Sequence, residues 1–140
     1  MKLPAAFFVG LRLVEVTENH CVIKIKHSWF NKNPFKSMYF AAEAMGAEMS
    51  SGLLAFGYSY KQSNPISMLV VKMEIEFSKK ATGVILFSCK QGKEIEEAIQ
   101  VCKQNNVGQT ITTTSIGTNE HNEEVAKFYI TWSFKSKTTS

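Results

Sequence analysis

The chain has 140 residues and a mass of 15.7 kDa, room for one domain and little more. Its net charge of +4 comes from scattered lysines, without the basic block that nucleic-acid binding favours. No stretch approaches the roughly 20 apolar residues needed to span a bilayer, and Cys21, Cys89 and Cys102 form no C-x-x-C pair of a zinc or redox motif.

Cys21 and Cys102 fall at apolar positions, where free thiols act as small hydrophobes and suit a reducing compartment. The apolar run within residues 1–10 is short and is followed at once by Arg12 and Glu15, unlike a cleaved signal peptide. The expectation is a cytoplasmic protein. His20, His27 and His121 are dispersed without metal-ligand spacing, so neither metal nor cofactor is expected.

In chain order, the segments 11–16 and 21–26 alternate apolar and polar residues about Thr17-Glu18-Asn19-His20, which predicts a hairpin of half-buried strands. Asn31-Lys32-Asn33-Pro34 is a polar break. Pro34 disfavours helical angles at Asn33, so a helix is predicted beyond it, over residues 35 to about 56. Its composition is alanine and methionine with no β-branched residue, and Ala42, Gly46, Ala47 and Ser50 form a face of small side chains. Such a face lets a helix lie close against a curved sheet.

Residues 68–77 read as a strand with Leu69, Val71, Met73, Ile75 and Phe77 on one face and Lys72, Glu74 and Glu76 on the other. A turn at 79–83 leads to a strand over 84–90. Gly92 opens a short helix with Ile95, Ala98, Ile99 and Cys102 at helical spacing, ended by Asn105-Asn106. Strands over 110–116 and 125–134 close the pattern. The order predicts an α+β domain, an antiparallel sheet of about six strands curled around one long central helix.

The segment Asn31-Lys32-Asn33-Pro34-Phe35-Lys36-Ser37-Met38-Tyr39-Phe40-Ala41-Ala42-Glu43-Ala44-Met45-Gly46 resembles the loop and central helix of hotdog-fold proteins. More narrowly, it resembles an uncharacterised bacterial branch related to the phenylacetyl-CoA-type acyl-CoA thioesterases. Phe77-Ser78-Lys79-Lys80-Ala81-Thr82-Gly83 resembles the F-x-K-x-A-x-G hairpin of the same proteins. The resemblance spans about residues 8–135 of a single domain, 1–140. It implies that Glu43 is the catalytic acid, with Asn33 in the preceding loop able to orient substrate or water. It further implies that Phe35, Lys36, Ser37, Met38 and Tyr39 around the helix start receive the thioester, and that Lys79 and Lys80 meet coenzyme A phosphates. Phe35-Lys36 stands where those enzymes carry H-G-G, so the glycines that admit a ligand close to the backbone are missing.

Two readings stay open. One is an enzyme hydrolysing a fatty or aryl thioester of coenzyme A or acyl carrier protein; the other is a non-catalytic module that binds an acyl ligand. Either is expected as a homodimer or dimer of dimers, without nucleic-acid or membrane partners. Glu48, about 140° further around the helix, reads as a solvated residue.

Overall fold

The computed structural model describes residues 10–27, 34, 35, 37–59 and 66–136. The described elements follow the order β1 (Leu11–Val16), β2 (Cys21–Lys26), α1 (Phe40–Ser59), β3 (Ile66–Phe77), β4 (Val84–Cys89), α2 (Gly92–Asn105), β5 (Gln109–Thr118) and β6 (Glu124–Ser136). The six strands form one antiparallel sheet in the order β1-β2-β4-β5-β6-β3. Neither helix is long and apolar enough to cross a membrane.

Period-two alternation makes the sheet one-sided. Cys21, Ile23 and Ile25 of β2, Ile85, Phe87 and Cys89 of β4, and Phe128, Ile130 and Phe134 of β6 are fully buried on the inner face. Helix α1 lies across that face, packing on β2, β4 and β5 and only marginally on β6. The small residues Ala42, Gly46, Ala47 and Ser50 are all buried there, as their pattern implied. Ser50 Oγ lies 2.7 Å from Ser115 Oγ, and Trp132 Nε1 donates to Ser51 Oγ at 2.9 Å. The helix is thus joined to the sheet by hydroxyl contacts as well as packing. Helix α2 buries Ile95, Ile99 and Cys102 and ends on Asn106 in the left-handed conformation (φ 51°).

Three expectations change. Helix α1 begins at Phe40, not near residue 35, because the Met38 amide donates to Ala81 O at 2.7 Å. That bond ties the preceding segment to the β3–β4 hairpin and holds it out of helical geometry. Strand β3 carries a bulge between Val70 and Lys72, so its inward set changes. Met68 and Val70 join Met73, Ile75 and Phe77 on the inner face, and Leu69 is 64% exposed. In β1 only Leu11 is buried; Leu13 and Val16 pair with buried Ile23 and Cys21 yet are about half exposed, because β1 is the sheet's outer strand, beyond the main reach of α1.

Candidate active site

The site forms where the start of α1 meets the β3–β4 hairpin. A cavity of about 620 Å³ opens there, within the usual range for small-ligand sites. Its apolar walls are Phe35, Tyr39, Phe40 and Phe77, and Glu43 belongs to its lining. The Tyr39 and Phe40 rings stand 4.9 Å apart, and Phe77 packs edge-on against buried Phe128 at 6.1 Å.

Glu43 is 4% exposed, and its Oε1 has no hydrogen-bond partner. Its backbone explains the placement. The Ala42 and Glu43 amides both donate to Tyr39 O, which starts the first turn and directs the Glu43 side chain inward beside Ala42 and Gly46. Burial penalises the charged form and pushes the carboxyl up from 4.5 to about 7. A buried polar atom left unpaired is uncommon in folded proteins and marks a place where a ligand or water is to be received. The positive end of α1 faces the same region, since the helix begins only three residues before Glu43.

The sequence candidates divide as follows. Glu43, Phe35, Ser37, Met38, Tyr39, Lys79 and Lys80 are brought together around the one cavity. Asn33 and Lys36 lie outside the described residues. Ser37 and Met38 are buried in the wall, and the Met38 amide, expected to face the thioester, is already bonded to Ala81. The amides at the helix start are therefore those from Phe40 onward. Lys79 forms an ion pair with Glu123, and Lys80 Nζ donates to Phe35 O at 3.4 Å. Both lysines border the cavity while engaged with the protein.

Glu48 is not the solvated residue expected. It is half-buried, and burial raises its carboxyl above the ordinary value. A β-carbon on Gly52 would lie 3.4 Å from the Trp132 ring and 3.6 Å from Glu48 Oε1, so the indole and the carboxyl both approach the Gly52 position. Phe40 and Phe77 join the site without having been singled out. Phe77 opens the hairpin motif and Phe40 stands three residues before Glu43, so both signals were present. His27 Nε2, just beyond β2, is a second buried side-chain polar atom without a hydrogen-bond partner among the described residues. Among the described residues no cluster of three His, Cys, Asp or Glu side chains is arranged to hold a metal.

This architecture recurs in solved structures. A Pseudomonas aeruginosa protein described as a probable thioesterase superposes with a TM-score of 0.84 at 21% identity, covering 96% of this chain and 89% of its own. A Chlorobaculum tepidum protein of unknown function gives 0.81 at 12% identity, with coverages of 96% and 87%. A Haemophilus influenzae thioesterase gives 0.71 at 12% identity, with 96% and 85%. No curated protein matches the chain. These likenesses show the hotdog fold. The profile of a domain of unknown function, DUF4442, matches residues 1–134, and the chain belongs to that family.

Proposed function

We propose that the protein is a thioester hydrolase acting on a fatty or aryl acyl group carried by coenzyme A or acyl carrier protein. The observation that carries this reading is Glu43, an unpaired carboxyl held near neutrality in an aromatic-walled cavity. A base with a value near the working pH combines a useful ionised fraction with proton affinity. Glu43 takes a proton from water as the water oxygen adds to the thioester carbonyl. The tetrahedral intermediate then expels the thiolate, which recovers that proton and leaves as the thiol. The aromatic walls receive the acyl group, and the start of α1 stabilises negative charge on the carbonyl oxygen. The names given to two of the similar structures support the same chemistry. A cytoplasmic homodimer, or a dimer of dimers, completes the proposal.

The second reading, an acyl-binding module without catalysis, is favoured by Phe35-Lys36 in place of the glycine pair and by the Met38 amide already being bonded. Glu43→Gln separates the two. The substitution keeps the shape and removes the basicity, so hydrolysis of a medium-chain acyl-CoA is expected to fall by roughly 10²- to 10⁴-fold, with binding little changed. Parent protein that binds every chain length tested and hydrolyses none is the binding module. Parent activity that survives in Glu43→Gln places the catalytic group elsewhere.

A further inference from the structure

Cys21 of β2 and Cys89 of β4 are directly opposed in the antiparallel pairing of those strands, and both are fully buried free thiols. Opposed residues in such a pair have α-carbons about 4.5–5.5 Å apart and side chains on one face. That spacing falls within the roughly 4.4–6.8 Å that a disulfide spans. Burial foremost, and then the neighbouring Cys89, push the Cys21 thiol up to about 11; burial does the same for Cys89. Cys102 stands outside this pair, on α2, where its thiol donates to Phe134 O at 3.5 Å. The sheet thus holds two thiols in bonding register and leaves the third as an internal control.

Cys21 directly follows the turn of residues 17–20, and Cys89 stands just before the start of α2. Those two flanking segments meet beside the thiols. The Gly92 amide donates to Asn19 O at 3.0 Å, and the Tyr58 hydroxyl of α1 donates to Glu18 O. The approach requires glycine: a β-carbon on Gly92 would overlap Glu18 O and stand 2.8 Å from the Asn19 α-carbon. Apart from these contacts the turn is lightly held. Thr17, Glu18 and Asn19 are exposed, and a cavity of about 170 Å³ lies between the turn and Leu53, Leu54 and Tyr58 of α1. A covered, protonated thiol is inert, but local opening of a lightly held segment needs far less free energy than global unfolding.

We propose that Cys21 and Cys89 form a reversible oxidation site for hydrogen peroxide, and that the turn of residues 17–20 is its latch. When the turn swings out, one thiol ionises and its sulfur attacks a peroxide oxygen. An S–O bond forms, the O–O bond breaks, and the departing hydroxide takes up a proton as water. The second thiolate attacks the resulting sulfenic sulfur, forming the S–S bond, breaking the S–O bond and releasing a second water. Two thiols lose two electrons, and one peroxide gains them. The product ties β2 to β4 and closes the chain between them into a loop, which constrains the unfolded state. A thiol reductant reverses it by exchange. The Glu43 cavity shares no residue with this site, so the inference stands apart from thioester hydrolysis.

The test treats the reduced full chain with hydrogen peroxide and maps its thiols by mass spectrometry of proteolytic fragments. The expected product has the Cys21 and Cys89 fragments joined, Cys102 still a thiol, and full recovery on reduction. No joined pair, or a pair that includes Cys102, overturns the site. The joined chain should also unfold at higher urea than the reduced one; equal midpoints overturn the constraint. The latch is read from rates. Tyr58→Phe removes one bond from the turn and should speed the cross-link roughly two- to tenfold, the worth of one hydrogen bond. Gly92→Ala, which forces the turn away from α2, should speed it further. Alkylation of Cys102 should keep the parent's rate in both. A Tyr58→Phe chain that oxidises no faster than the parent overturns the latch. So does one whose Cys102 is alkylated faster in step with the cross-link, because the opening is then global.

Discussion

At the scale of single residues, Glu43 sets activity against stability. Its folded value, about 7, lies above its ordinary 4.5, so the folded chain holds this proton more tightly than the unfolded chain. The linked stability is complete below about 4.5 and is lost as pH rises through 7; the gap corresponds to roughly 3 kcal/mol at most. Activity runs the other way. A base must be ionised, so kcat/KM for an acyl-CoA is expected to rise with pH and level off above about 7. Glu43→Gln should then unfold at higher urea than the parent at pH 8, while at pH 4.5 the two should nearly coincide. Equal urea midpoints at pH 8 would show that the carboxylate is hydrated. The position of Glu43 was legible because alanines flank it in a register shared with a known pattern. The burial of Glu48 was not, because it is set by tertiary packing that helical spacing does not carry.

At the scale of elements, the contact between α1 and the sheet turns on Phe87. A β-carbon on Gly46 would come within 2.8 Å of its ring, and one on Gly117 within 2.6 Å. Gly46→Leu is therefore expected to cost about 1–3 kcal/mol by overpacking, although any residue but proline would favour the helix more than glycine does. Chemical denaturation reads this directly, and a variant as stable as the parent would show that α1 does not seat here. Alternation and helical spacing revealed β2, β4, β6 and α2 nearly to their ends, since each signal is local. They misplaced the start of α1 because the Met38–Ala81 bond joins residues 43 positions apart. They misassigned part of β3 because a bulge leaves the composition of a strand unchanged while turning its side chains over.

At the scale of the whole molecule, the dimer proposed above would couple assembly to folding. If two copies pair, the folded state is stabilised by mass action and the melting temperature should rise with protein concentration over the micromolar range. A concentration-independent transition, with a sedimentation mass near that of one 15.7 kDa chain, would leave the fold standing alone. The curled sheet around one helix was legible from the order of the elements, and the hotdog fold from the resemblance of segments 31–46 and 77–83; the open inner face was not, because how far a helix reaches across a sheet is settled only by packing. The seat of Phe87 carries a last consequence. Its ring is gripped from one side by α1 and from the other by β5, at two positions that lack a β-carbon. A half-turn of that ring sweeps more room than the grip allows, so it can occur only when helix and sheet briefly part. The rotation of one aromatic side chain thereby keeps time with the breathing of the entire domain, far slower than the picosecond-to-nanosecond hops of exposed side chains.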